Sequence, residues 1–135
     1  MTRISSAVNM DFDNITVTVE GLDGLDKLLG ADLVQKFGVL TNLAPATETV
    51  VASYTPVAGE TVRVKGVFAE GENDGIVKLY IDGAVVWQGR NAWSERNVPI
   101  LMEAEALATQ VIELKITNLK NQNSDYSGGF YGYKI

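Results

Sequence analysis

The densest run of recognition-capable side chains is QGRNAWSERN at positions 88–97. Arg90 and Arg96 carry planar guanidinium forks that grip carboxylates with two parallel bonds. Asn91 and Asn97 offer amide donors and acceptors to hydroxyls. Trp93 presents a flat indole that stacks on a sugar ring or packs on a neighbouring protein. A plain structural role competes with both: Trp93 caps one end of the fold while the arginines pair with Glu95 and nearby acids. Tryptophan and arginine are enriched in the hot spots of protein interfaces, so a subunit contact is the stronger of the two binding readings. Arg90, Asn91, Trp93, Arg96 and Asn97 are therefore the candidate binding and interface residues. Trp87 differs, because it lies inside an alternating segment and belongs to the core.

Catalytic apparatus is harder to find. The chain has no cysteine and no histidine, which excludes disulfides, thiolate nucleophiles, Ser-His-Asp triads and the usual zinc sites together. A metal would have to be a hard cation held by oxygens. Two polar runs offer such oxygens, residues 70–74 and 121–125, but neither has the spacing of an EF-hand loop and turn chemistry accounts for both. Paired carboxylates can hydrolyse glycosides, and Glu70, Glu72, Asp74, Asp82, Glu95, Glu103 and Asp125 are the candidates. Most fall in turns or beside lysines, where a solvated carboxylate is the ordinary outcome. No enzyme, cofactor or bound metal is expected.

Charge narrows the partners further. The net charge of −6 disfavours a phosphate backbone, so no nucleic acid is expected. It divides unevenly, −5 over residues 1–60 and −1 over residues 61–135. No apolar run reaches the ~18 residues of a membrane span, and the N-terminus lacks the apolar stretch of a secretory signal. Synthesis in a cytoplasm and no membrane partner are the expectation.

The elements that must position these residues are mostly strands. Residues 1–14 show no period and read as an arm. Ile15, Val17 and Val19 alternate with polar neighbours over residues 15–20, the period of a strand. From Leu22 the period changes to three and four, through Leu25, Leu28, Leu29, Leu33, Val34 and Phe37, which predicts a short helix ended by Gly38. Residues 42–45 read as a linker. Strands are then expected at 49–55, 61–69, 77–81, 84–87, 98–102, 111–117 and 128–135. Asp82-Gly83 between two of them is the strongest hairpin signal in the chain. In the last strand, glycines beside Phe130, Tyr131 and Tyr133 suit a close backbone approach or an edge shared with another subunit. About seven short strands at this spacing predict an all-β sandwich or barrel. The division is an attachment segment over residues 1–46 and a sandwich over 47–135.

Three stretches, VASYTPVAGETVRVKGV, VKLYIDGAVVWQGR and IELKITNLKNQNSDYSGGFYGYKI, resemble small jelly-roll proteins encoded among the structural genes of tailed bacteriophages. The valine-rich strand with its Pro–Gly turn, the YIDG…W hairpin, the ITN strand end and the closing GYKI carry the likeness, which covers about two thirds of the chain. It implies an antiparallel jelly-roll-like sandwich with a short N-terminal strand–helix extension. It also implies a virion component, assembled in the host bacterial cytoplasm. Foremost is a capsid decoration protein that bridges subunits of the major capsid protein or other virion proteins, as a homo-oligomer with a trimer favoured. The alternative is a carbohydrate-binding module on a tail, baseplate or fibre, with a glycan as ligand.

Overall fold

The computed structural model describes residues 32–91 and 100–135, with the side chain of Asn91 left out. Eight strands follow in order: β1 (Leu33–Leu43), β2 (Glu48–Tyr54), β3 (Val62–Gly71), β4 (Gly75–Ile81), β5 (Ala84–Asn91), β6 (Ile100–Ala106), β7 (Ile112–Asn118) and β8 (Ser124–Lys134). They form two antiparallel sheets, β1-β8-β3-β6 and β2-β7-β4-β5, called sheets I and II below. β1 pairs with β8, β2 with β7, β3 with β6 and β4 with β5. The chain is thus one long hairpin whose two arms wind together, which is the jelly roll. Two further ladders, β3 with β8 and β4 with β7, knit the windings into sheets.

The tip of that hairpin is the Asp82-Gly83 turn. Both residues have positive φ, 52° and 83°, the backbone twist that lets two strands follow a two-residue loop. On either side the two-residue period holds. Val77, Leu79 and Ile81 on β4 and Ile112, Leu114 and Ile116 on β7 all point inward and are buried. They meet Val62, Val64 and Val67 of β3 and Phe130 of β8 across the interior. Trp87 packs against this core, as the alternation requires.

The N-terminal expectation fails where the structure describes it. Residues 33–43 are strand β1, not the end of a helix followed by a linker, and β1 belongs to sheet I. The sheet therefore begins ahead of the expected boundary at residue 47. Leu33, Val34 and Phe37 mimic a helical stripe because β1 carries apolar side chains on both faces: Val34 and Leu40 inward, Phe37 and Val39 outward. Gly38 does not cap a helix. A Cβ there would collide with the carbonyl oxygen of Val51, so its bareness lets the edges of the two sheets meet. The strand expected at 15–20 and the helix from Leu22 to residue 31 lie outside the described residues. β6 continues to Ala106 and β8 starts at Ser124, both beyond the bounds expected from sequence.

One polar side chain ties the windings together at one end of the sandwich. Asn118, 0% exposed, closes β7. Its Nδ2 donates to the carbonyls of Leu43 and Gln122, both at 2.8 Å. Its Oδ1 accepts from the Lys120 N–H at 2.8 Å and from the Tyr126 hydroxyl at 3.0 Å. All the hydrogen-bonding capacity of the amide is used. The single Tyr126 proton is shared between that Oδ1 and the Asp74 carbonyl, which lies 2.8 Å from the hydroxyl, and burial is the main cause that holds the phenol above the usual value. An Asn118→Leu replacement removes four hydrogen bonds at once and leaves the buried Leu43 carbonyl dry, at about 1–3 kcal/mol for an unsatisfied buried group. Urea denaturation of that variant is expected to show a loss of about 3 kcal/mol or more; a loss below about 1 kcal/mol would contradict the clamp.

Candidate functional site

β8 runs through the middle of sheet I and is bare where its neighbours carry rings. Phe37 on β1 and Phe68 on β3 both stand opposite Gly129, one from each side. Their rings lie nearly parallel, 14° apart with centroids at 6.0 Å, on the outer face of the sheet. A Cβ at position 129 would collide with the Lys36 carbonyl oxygen and come within 2.8 Å of the Phe68 ring. Only glycine leaves that space to Phe68. The neighbouring row repeats the device, with the Tyr131 ring lying over Gly66.

This face is open. Phe37 is 57% exposed and Val39, next along β1, is 63% exposed. Together with Glu70, Gly71, Glu72, Asp125, Tyr126 and Ser127 they line a shallow groove of about 460 Å³. The acids at its rim are placed by the backbone. Asp125 Oδ1 accepts the Asn42 N–H at 2.8 Å, and Glu72 Oε1 accepts the Asp125 N–H at 2.8 Å. The Glu72 N–H in turn donates to the Asp125 carbonyl at 3.1 Å. Among the described residues no ion pair involves Glu70, Glu72 or Asp125. An exposed apolar surface edged by hydrogen-bond acceptors is the outcome, a mix of apolar lining and a few polar groups such as small-ligand sites carry.

Elsewhere parts of the outer surfaces are occupied by ion pairs and hydrogen bonds. At the other end of sheet I, Arg63 reaches Glu105 at 2.8 Å and Glu103 at 3.7 Å, and Lys65 reaches Glu103 at 2.9 Å. The hydrogen bond from Lys65 holds the Glu103 carboxyl below its usual range, and the bond to Glu105 raises Arg63. On sheet II the Tyr80 hydroxyl donates to Glu48 at 2.9 Å, and Lys115 sits 4.5 Å above the Tyr80 ring. Burial first, then the bond to Glu48, pushes the Tyr80 phenol up.

The residues singled out from sequence fare differently. Arg90, near the end of β5, bonds Asp74 at 3.2 Å, the pairing with a nearby acid that the plain structural role describes. Asn91 ends β5 opposite Gly75. Trp93, Arg96 and Asn97 lie outside the described residues. The two runs weighed for calcium are brought side by side through Glu72 and Asp125, yet no group of three or more metal-binding side chains occurs among the described residues. Sequence reasoning missed the platform, because Phe37 and Phe68 meet only through their common register on Gly129. The glycine–aromatic run over residues 128–133 was the available signal.

Strand order and open face together define a jelly-roll β-sandwich with a shallow aromatic groove on one sheet. No protein-family model matches the sequence, and no curated protein does. Among solved structures the chain is similar to one described as "Carbohydrate-Binding Module CBM36 in complex with calcium and xylotriose", at 16% identity and a TM-score of 0.36, over 76% of this chain and 98% of that one.

The role given to Gly129 is directly testable. Gly129→Val is expected to lower stability by about 1–3 kcal/mol in urea denaturation, the usual cost of overpacking, and to drive the Phe68 ring off the sheet. Unchanged stability would show that the rings do not depend on the bare strand.

Proposed function

We propose that this protein is a non-catalytic carbohydrate-binding jelly roll that seats a sugar ring on Phe37 and Phe68. The observation that carries the reading is the pair of near-parallel rings over Gly129, with carboxylates at the rim that form no ion pair among the described residues. A pyranose has an apolar C–H face and an edge of hydroxyls. The first suits a flat aromatic surface, the second suits carboxylate acceptors. Binding without turnover fits the same geometry. A glycosidase acid is kept protonated by an apolar pocket, whereas Glu70, Glu72 and Asp125 are all exposed on an open groove.

A second reading comes from the extent of the apolar face. Leu101, 80% exposed, stands on β6 opposite Gly66 and carries that face beyond the area one sugar ring covers. In a virion of the kind the sequence resembles, such a face would be buried on the major capsid protein or another particle component, adding interface without chemistry.

One variant separates the two readings. A glycan array with the intact chain is expected to give hits that Phe68→Ala weakens by about 2 kcal/mol, roughly 30-fold in Kd, while the circular dichroism spectrum stays that of a folded sandwich. An array without hits, together with loss of particle association in the same variant, would overturn the carbohydrate reading in favour of the structural one.

A further inference from the structure

We infer that the saccharide preferred by this groove carries protonated amines, as a glucosamine-type polymer does; the inference rests on the carbohydrate reading above and deepens it. Among the described residues that line the groove, three are carboxylates, Glu70, Glu72 and Asp125, and none is a base. Among the described residues, Arg63, Lys65, Arg90 and Lys36 are all committed elsewhere. Arg63 and Lys65 are held by Glu103 and Glu105, and Arg90 is held by Asp74. Lys36, which neighbours Phe37 on β1, reaches the opposite way and lies 5.3 Å over the Tyr54 ring of β2. Charges beyond about 8 Å are largely screened at physiological salt. The local carboxylates, rather than the charge of the whole chain, therefore set the field in the groove.

That field discriminates among sugars. An ammonium beside Glu70 and over the face of Phe37 gains a charge-assisted hydrogen bond and a cation–π contact together. An N-acetyl group in its place loses both gains. A uronic acid meets like charge. Glu72 and Asp125 each use one oxygen on a backbone N–H, which fixes the carboxylate and leaves its second oxygen without a partner among the described residues.

Calorimetric titration with three probes tests this: a β-1,4-linked glucosamine oligomer at mildly acid pH, its fully N-acetylated counterpart, and an oligogalacturonate. The glucosamine oligomer is expected to bind at least about tenfold tighter than the N-acetylated one, with no uronate binding detected. Glu70→Gln with Glu72→Gln should bring the first two affinities together. Glu103→Gln, an equal-sized change at the ion-paired end of the same sheet, should leave the ratio intact. Thermal melts confirm that each variant is folded. Equal or reversed affinities, or a ratio untouched by the double variant, would overturn the charge preference and leave the platform reading standing. Absence of binding to all three probes and to a glycan array would overturn both.

Discussion

Asn118 gathers three segments of the chain to one point. Its amide holds the end of β1 through Leu43, the β7–β8 connection through Lys120 and Gln122, and β8 itself through Tyr126. The backbone adds to this, with Ala46 N–H bonded to the Asn118 carbonyl at 2.8 Å and Asn118 N–H to Thr47 at 3.3 Å. Tyr126 passes the constraint on to Asp74, at the entry to β4. A buried amide with every donor and acceptor filled specifies one arrangement of its surroundings, since any slip leaves a polar atom dry. The groove's rim, from Glu70 to Glu72 and at Asp125, hangs on strand ends fixed in this way. Sites held within fractions of an ångström need such support behind them.

The outer surfaces of the sandwich are disposed of in two ways. Part of sheet II is covered by side-chain pairs such as Tyr80 with Glu48 and Lys115. One end of sheet I does the same through Arg63, Lys65, Glu103 and Glu105. The remaining end leaves Phe37 and Val39 in water. Exposed aromatic area gains nothing in the free chain and is common where a ligand or partner will cover it. The glycines that permit it remove side-chain packing from β8, a weakness in a central strand, and the ladders on both sides of β8 offset that loss.

The sequence made the winding legible and hid the site, for physical reasons that differ. The Asp82-Gly83 turn needs two residues of positive φ, which few residue types supply, so it could be read directly. β4 and β7 are buried on one face only and show the strand period cleanly. β1 has apolar residues on both faces, one set for the core and one for the platform, and so imitated a helix. The platform residues are far apart in sequence, and only their register against β8 makes them neighbours. The 88–97 run drew attention through its local density of Trp, Arg and Asn. Arg90, the candidate in that run whose side chain is described, is occupied by Asp74.

The most direct measurement is an amide chemical-shift titration of the isotope-labelled chain with the tightest-binding oligosaccharide found. Ligand seated on the aromatic face should move resonances of residues 37–39, 68–72 and 125–131 together, in one saturable process. Shifts confined to residues 88–97 or to the outer face of sheet II, with Phe37, Phe68 and Gly129 unmoved, would contradict the account.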